Sequence, residues 1–386
     1  MSGSSIRRDP QVSFVVPCYK LAHLLPDCIQ SILSQTYGDF EVLVMDDCSP
    51  DNTPEVVRCF RDERIKHIRN TPNLGHLRNY NKGIGLAGGK YVWLISADDV
   101  LRQPYILERY VSVMEQHPHV GYVCCPALEL HNGRETKMAH YSVKADEDKV
   151  FRGHEFLHIL ADSNCVIAAS ALVRKSCYEE LGAFPLDLPY AGDWYMWCLL
   201  ALHYDVAYCA EPMVSYRLHE QSMTSELKSA RGRVCMKDDL AVLWRIKDKA
   251  KEAGFAATAN TFRQRIAYEY ASHVGGTKCN IPGALMTLEE CEASLNRCAA
   301  DAAEGRWIRA RMYAFIAEGY FRKQEFSSTL EFYRRGLRED PWMPKVWLKR
   351  LLLHTGSMGI RLKQQAFAAR WPQADTSAAA AKRQLQ

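Results

Sequence analysis

Short apolar runs alternate with helix-like stretches over the first hundred residues of the chain. Three largely apolar runs predict strands at residues 12–16, 40–45 and 91–95, and a further short strand is predicted at residues 65–69. Three intervening stretches predict helices, at residues 23–35, 54–61 and 77–86. Because parallel strands need a crossover connection, this alternation predicts a largely parallel sheet, and the nearly continuous apolar strands indicate helices on both of its faces.

The pattern changes twice further along the chain. Between residues 120 and 216, a helix is predicted to begin near Asp193, and short strands are predicted at residues 120–125, 166–173 and 206–209. This mixture is typical of the second half of a larger α/β enzyme. After residue 226 nearly every segment has a helical pattern, and helices are predicted at residues 236–252, 308–320 and 325–338.

The last two of these helices have the pattern of one tetratricopeptide-type hairpin near residues 308–340. Since a single hairpin cannot form a solenoid, a helical cap that packs on the main domain is favoured over a partner-binding array. The predicted division is a flexible N-terminus (1–10), an α/β domain (11–225), a helical region (226–371) and a flexible tail (372–386).

The composition is that of an ordinary folded protein. The chain has 386 residues, of which 47% are hydrophobic and 24% charged, and this excludes wholesale disorder, a fibrous repeat and a disulfide-dense miniature scaffold. The net charge of +4 is too small to indicate nucleic-acid binding. The sequence has no apolar run of bilayer-spanning length, and its start is not expected to be a signal peptide.

The 14 cysteines are scattered, and no pair has the spacing of a zinc site. Several, such as Cys165, Cys198 and Cys209, lie among apolar residues, where a thiol behaves as a small buried hydrophobic group. This usage predicts a reduced, cytoplasmic protein.

Acidic pairs follow two of the predicted strands. Asp46 and Asp47 follow the second strand, and Asp98 and Asp99 follow the fourth. The carboxyl ends of the strands are where open α/β sheets bind ligands, and four carboxylates there would repel one another. Mg²⁺ or Mn²⁺ would offset that repulsion and share its ligands with a substrate phosphate. In the alternative, Asp46 and Asp47 only cap the next helix, which explains one pair but not two.

Ordered motifs now point to a family. The motifs are VSFVVPCY (12–19), FEVLVMDDCSPD (40–51), Asn73-Leu74-Gly75 with Arg78-Asn79, WLISADD (93–99), Gly192-Asp193-Trp194 and SYRLHEQSM (215–223). In this order they resemble the family 2 glycosyltransferases with a GT-A fold, over residues 11–225. The resemblance implies a Rossmann-like, mixed and mainly parallel sheet flanked by helices, followed here by an all-α region. It also implies an inverting hexosyltransferase of polysaccharide or glycan assembly.

The resemblance assigns a donor site for a nucleotide-diphosphate sugar, most often UDP-linked. Pro17 and Tyr19 would lie against the base, although Tyr19 could equally be a packing residue. Asp46, with Asp47 beside it, would contact the base or ribose. Arg78 would approach the base or the diphosphate, where a guanidinium suits planar, charged recognition; its alternative is a solvated helix position.

The acidic pair after the fourth strand resembles the metal-binding motif of the family. Asp98 would contact the ribose, and Asp99 would bind Mn²⁺ or Mg²⁺. Ser96 stands where the family usually has the first Asp of this motif, and this substitution is compatible with weaker metal binding. His219 would add a metal or phosphate contact, and the same segment contains Arg217 and Ser222.

Asp193 stands at the position of the catalytic base of the family. It would take the proton of the acceptor hydroxyl as that oxygen attacks the sugar. Asp193 could also cap the helix that follows, and both roles are compatible. Trp194 would be a wall of the acceptor pocket or a core residue.

Other classes of protein fit less well. A nicotinamide-dependent dehydrogenase needs a glycine-rich turn after the first strand, and a nucleotidyltransferase needs a glycine-rich, basic loop there, but Pro17-Cys18-Tyr19-Lys20 is neither. A catalytically degenerate transferase that acts as a scaffold through its helical region has only Ser96 in its favour.

Residues 342–371 contain Lys and Arg with interspersed Trp and Leu, and no acidic residue. Such a segment can lie on an anionic membrane surface, here the inner face, where a glycan or lipid-linked acceptor would be used. In the alternative, it is a helix that buries its apolar face and solvates its basic face.

Overall fold

The computed structural model describes residues 9–139, 143, 145–219, 232–275 and 286–354. The chain forms two compact units, residues 1–262 and 263–386. Several predictions lie outside the described residues: the flexible start up to residue 8, Ser222 within residues 220–223, the basic segment beyond residue 354 and the tail 372–386.

Strands form the centre of the first unit. In the described residues they are β1 (Val12–Cys18), β2 (Phe40–Asp46), β3 (Ile65–Arg69), β4 (Tyr91–Leu94), β5 (Val100–Leu101), β6 (Val120–Cys124), β7 (Ala127–His131), β8 (Arg134–Met138), β9 (Lys149–Phe151), β10 (Leu172–Arg174), β11 (Asp205–Tyr208) and β12 (Val214–Arg217). One sheet has the order β3-β2-β1-β4-β10-β6-β11-β9, and a smaller sheet has the order β5-β12-β7-β8.

The larger sheet is mixed. β3, β2, β1 and β4 are parallel, as are β6 and β11, whereas β10 is antiparallel to β4 and β6, and β9 to β11. The predicted mixed, mainly parallel sheet is confirmed. The strand predicted over residues 166–173 is wrong in its extent, because Ala168–Ser170 is a 3₁₀ turn. The backbone N–H and the hydroxyl of Ser170 both donate to the Ile167 carbonyl oxygen and close that turn.

Helices flank this sheet. In the described residues of the first unit they are α1 (Leu25–Leu33), α2 (Thr53–Cys59), α3 (His76–Leu86), α4 (Ile106–Gln116), α5 (Gly153–Asp162), α6 (Lys175–Leu181), α7 (Gly192–His203) and α8 (Gly232–Glu252). Helix α9 (Ala256–Gly275) crosses the division between the units. The predicted α/β boundary at residue 225 stays a prediction, and α8 lies within the first unit.

A stack of aromatic rings packs β1 and β4 against α4. Trp93 on β4 stacks between Phe14 on β1 and Tyr110 on α4, with ring centroids 5.3 and 5.0 Å apart. Its indole N–H donates to the Ala169 carbonyl oxygen at 2.8 Å. The three rings are fully buried, so they form part of the core between the sheet and α4. Cys165, Cys198 and Cys209 are buried free thiols, as predicted.

The second unit is helical in its described residues. Besides the end of α9 it contains α10 (Leu288–Cys298), α11 (Ala302–Arg322), α12 (Phe326–Glu339) and α13 (Pro344–His354). The helix pair predicted near residues 308–340 is present as α11 and α12, with Ala310, Ala317, Tyr333 and Leu337 in their shared core. Among the helices of the described ranges, none combines the length and the apolar character needed to cross a membrane.

Candidate active site

The carboxyl ends of β1, β2 and β4 lie side by side. Cys18 at the end of β1 pairs in register with Asp46 at the end of β2. The Ala97 N–H, just beyond β4, donates to the carbonyl oxygen of the buried Pro17 at 3.2 Å. The acidic pairs that follow β2 and β4 therefore lie on either side of β1.

Asp46 is fully buried beside two basic side chains of β3. Its Oδ2 lies 2.5 Å from Nη1 of Arg69 and 3.1 Å from Nε2 of His67, and its Oδ1 accepts the Ser49 N–H at 2.8 Å. These contacts offset the cost of burying the carboxylate. Sequence reasoning missed Arg69 and His67, which lie on either side of Ile68 in the edge strand β3 and therefore share one face of it.

Asp47 organises the turn before α3. Its Oδ1 accepts the Leu74 N–H and an Nδ2–H of Asn70 at 2.8 and 2.9 Å, and its Oδ2 accepts the Gly75 N–H at 2.9 Å. Gly75 has a φ of 80°, which glycine adopts without strain. Asp47 thus fixes the place where α3 begins.

The helix after β2 is anchored by another acid. Asp51 accepts the Thr53 N–H at 3.2 Å and the Thr53 hydroxyl at 2.6 Å through Oδ1, and the Ala22 N–H at 3.0 Å through Oδ2. The alternative in which Asp46 and Asp47 cap α2 is therefore wrong.

Asp98 and Asp99 are held by β12 and the residues just after it. Oδ1 of Asp99 accepts the Arg217 backbone N–H at 3.0 Å, and the Arg217 Nε–H donates to the Asp98 carbonyl oxygen at 2.8 Å. His219 Nε2 lies 3.0 Å from Oδ2 of Asp98. Burial, and then the charge of Asp98, raise the pKa of Asp99 well above its usual value.

Asp98, Asp99 and His219 are the predicted residues that could hold a divalent cation. Within the described ranges, no three His, Cys, Asp or Glu side chains are grouped as a preformed metal site. However, Oδ1 of Asp98 is buried without a hydrogen-bond partner, and such an atom is costly unless a ligand meets it. The residues therefore fit a cation that brings further oxygen ligands, such as phosphate and water.

Asp193 lies in the first turn of α7. Its Oδ1 accepts the Trp194 N–H at 2.7 Å, and its Oδ2 accepts from Nδ2 of Asn164 at 2.9 Å. Burial raises the pKa of Asp193 to about 6 despite both hydrogen bonds. Trp194 is buried, and its indole N–H donates to the Leu160 carbonyl oxygen at 2.9 Å, so it is a core residue.

Tyr80 of α3 lies within electrostatic range of Asp98, Asp99 and Asp193. Burial, and then the charges of Asp98, Asp193 and Asp99, raise the pKa of the Tyr80 hydroxyl. In the described part of the chain this hydroxyl makes no hydrogen bond. Sequence reasoning missed Tyr80, although its spacing from the buried Leu77 on the same helix face was the available signal.

Two predicted nucleotide contacts lie at the surface. Tyr19 is 44% exposed, and Nζ of Lys20 lies 5.1 Å from its ring centroid. Arg78 is exposed on α3, two residues before Tyr80, so the two side chains leave the helix in nearly opposite directions. Arg217 and His219 line a cleft of about 480 Å³, together with His23, Leu24, Asn132, Gly133 and Leu218.

Comparisons with known proteins identify relatives of this chain. The family described as Glycosyl transferase family 2 matches residues 13–182. An uncharacterized glycosyltransferase of Haemophilus influenzae is 29% identical over 223 residues, which are 56% of this chain and 68% of that protein. The succinoglycan biosynthesis protein ExoO of Rhizobium meliloti is 37% identical over 112 residues, which are 29% of this chain and 32% of that protein.

A solved structure shares the fold. The structure of residues 1–349 of S. aureus TarS in complex with UDP-GlcNAc superposes with a TM-score of 0.59 and 18% sequence identity, covering 84% of this chain and 92% of that one. The likeness extends beyond the family match into the helical region. With its motifs, its mixed sheet and these relatives, the chain is a glycosyltransferase with a GT-A fold and a helical C-terminal region, in which residues 13–182 form a glycosyl transferase family 2 domain.

Proposed function

We propose that this enzyme transfers a hexose, with inversion, from a UDP-sugar to an acceptor hydroxyl. The observation that supports the proposal is that the ends of β1, β2 and β4 lie side by side, with Oδ1 of Asp98 buried there without a hydrogen-bond partner. Asp193 has a pKa of about 6, and a carboxylate that titrates near neutrality suits a general base.

The nucleotide would lie across the ends of β1 and β2. Pro17 and the exposed ring of Tyr19 would contact the base, Asp46 the base or ribose, and Asp98 the ribose. Asp47 would act through the turn that it holds, and Arg78 would reach the diphosphate from the exposed face of α3. The UDP-GlcNAc in the TarS structure supports UDP as the nucleotide.

Asp99 and His219 would hold Mn²⁺ or Mg²⁺, with the buried Oδ1 of Asp98 facing the same ligand. When bound, the cation would offset the charge that develops on the departing diphosphate. Because Ser96 replaces an acid, substrate oxygens would supply most of the remaining ligands. Arg217, which holds Asp98 and Asp99 in place, would contribute its charge near the phosphates.

The reaction would be a single displacement. The acceptor oxygen forms a bond to C1 of the sugar while the C1–O bond to the diphosphate breaks, and the diphosphate keeps that electron pair. Asp193 takes the proton of the acceptor hydroxyl. Attack from the face opposite the leaving group inverts C1, and both reactants must be held in line for it.

The acceptor is proposed to be a glycan or a lipid-linked saccharide of bacterial polysaccharide assembly. The name of the relative ExoO, a succinoglycan biosynthesis protein, supports this class. Trp194 is predicted to line the acceptor pocket, but because it is buried it would support the wall of that pocket from behind.

We also propose that residues 342–371 contact the anionic inner face of the membrane. In the described part of this segment, Trp342 is 89% exposed and Leu351 is 62% exposed. Lys345 and Arg350 lie on the same helix, and no acidic residue interrupts them. An amphipathic helix of this composition suits an anionic interface.

Calorimetric titration of UDP tests the donor site. Binding should need Mn²⁺, should be lost in EDTA, and should weaken at least about tenfold in Asp99→Asn. UDP release from UDP-GlcNAc should cease in Asp193→Asn while UDP still binds. If UDP binds equally well with Mn²⁺, with EDTA and in Asp99→Asn, the metal assignment is contradicted. Absence of binding to UDP, GDP and dTDP alike would favour the scaffold alternative.

Co-sedimentation with vesicles tests the membrane contact. Vesicles that contain phosphatidylglycerol should retain the protein at low salt and release it at high salt, whereas pure phosphatidylcholine should not retain it. Trp342→Ala combined with Leu351→Ala should reduce retention. Equal retention by both lipids, or by neither, would contradict the proposal.

A further inference from the structure

We propose that Asn164 is the positioning residue for the Asp193 carboxylate, holding one oxygen so that the other side of the group faces the acceptor. The inference rests on the proposed role of Asp193 as the base. Nδ2 of Asn164 donates to Oδ2 of Asp193 at 2.9 Å, across 29 residues of sequence. Asn164 lies two residues after the end of α5, and Asp193 lies in the first turn of α7.

The carboxamide of Asn164 is itself oriented. Its Oδ1 accepts the Val166 N–H at 3.3 Å, so the NH₂ end of the amide is directed to Asp193. A neutral donor fixed in this way stabilises the charged form of a carboxylate without adding a charge of its own. It therefore opposes the effect of burial, which raises the pKa of Asp193.

A second connection between the same two elements shows why Asn164 has a distinct role. Trp194 donates through its indole N–H to the Leu160 carbonyl oxygen of α5 at 2.9 Å. That bond ties α7 to α5 but does not touch the carboxylate. In the described residues, Asn164 is the residue just after α5 whose side chain contacts the carboxylate of Asp193.

Other titratable groups surround Asp193. Tyr80 of α3 and Cys198 of α7 interact with it electrostatically, and both are neutral between pH 5 and 8, since burial raises both pKa values. From α8, Asp238 accepts the Tyr190 N–H at 2.7 Å, just before α7. The Arg245 guanidinium of α8 is paired with Asp187.

The experiment compares Asn164→Leu, Asn164→Asp and the control Asn296→Leu, an exposed position on α10. The carboxyl carbons of ¹³C-labelled aspartate are titrated by NMR, and the Asp193 signal is assigned by its loss in Asp193→Asn. In Asn164→Leu the Asp193 midpoint should rise by about one pH unit, because a donor to the charged form is lost. Asn164→Asp, which is isosteric, should raise it further.

A kinetic readout separates positioning from charge. UDP release from UDP-GlcNAc by Asn164→Leu should stay about tenfold slower even above the new midpoint, with an unchanged KM for the donor. An unmoved midpoint together with unchanged kcat would overturn the proposal. If Asp193→Asn keeps full activity, the base assignment fails instead, and the NMR result still decides whether Asn164 controls the carboxylate.

Discussion

The backbone N–H of Arg217 lies 3.0 Å from Oδ1 of Asp99, although 118 residues separate the two in the chain. The contact continues the pairing of β5 with β12, which places Val100 opposite Ser215. This contact connects β12, near the end of the α/β region, to the turn that contains Asp98 and Asp99 after β4. The candidate donor site would thus be assembled from segments that are far apart in the chain.

Arg217→Ala is expected to weaken UDP binding in the presence of Mn²⁺ about tenfold. The variant keeps the backbone contact to Asp99 but removes a guanidinium that donates to the Asp98 carbonyl oxygen at 2.8 Å and to Asp27 at 3.0 Å. Calorimetry measures the affinity. Asp27→Asn is the control, since its side chain is 63% exposed and should change affinity little. Equal affinities for both variants and the parent protein would mean that the turn holds its shape unaided.

Asp47→Ala is expected to destabilise the protein by about 3 kcal/mol, because three donors lose their buried acceptor. They are the backbone N–H groups of Leu74 and Gly75 and the side-chain amide of Asn70. Chemical denaturation followed by fluorescence gives the free energy of unfolding. Asp62→Ala removes an acid whose partner Arg64 is two residues away on a part-exposed turn, and it should cost less than about 1 kcal/mol.

The sequence could predict that Asp46, Asp47, Asp98 and Asp99 lie at the same edge of the sheet, because topology alone determines it. Parallel strands bring their carboxyl ends to one edge, and both pairs follow such strands. The sequence could not show which carboxylates are committed to structure. Asp47 binds the turn before α3, whereas Oδ1 of Asp98 is left without a partner, and this difference depends on loop geometry.

Contacts between distant segments explain what sequence reasoning missed. Asn164 follows a helix without any motif around it, and only the packing of α5 on α7 brings it to Asp193. Tyr80 was overlooked in favour of Arg78, which has the more suggestive chemistry and lies on the exposed face of α3. The residues 166–173 have a strand-like composition, yet the hydroxyl of Ser170 stabilises a turn.

Tyr80→Phe is expected to slow UDP release from UDP-GlcNAc about tenfold without a loss of stability. The hydroxyl lies in the electrostatic field of Asp98, Asp99 and Asp193 but makes no hydrogen bond within the described residues. Its removal should therefore change the stability little. In the reaction, the variant would lack one hydrogen bond to the substrate. Steady-state kinetics and thermal melting are the two measurements. Tyr268→Phe, at an exposed position of α9, is the matched control. A drop in melting temperature with normal kinetics would contradict the role of Tyr80 at the site.

Activity is expected to fall about tenfold per pH unit below pH 6 and to be level above it. Asp193 must be ionised to take the acceptor proton, and burial raises its pKa to about 6.

The raised pKa of Asp193 also affects the stability of the protein. Between the usual pKa of an aspartate and 6, the folded protein binds this proton while the unfolded chain does not, so the Asp193 contribution to stability falls as pH rises through that window. Asp193→Asn removes the titration. The difference in melting temperature between the parent protein and Asp193→Asn should therefore change across pH 4 to 6 and be constant above about pH 7. An activity profile that stays level down to pH 5, with no such change in the melting-temperature difference, would mean that another group takes the proton.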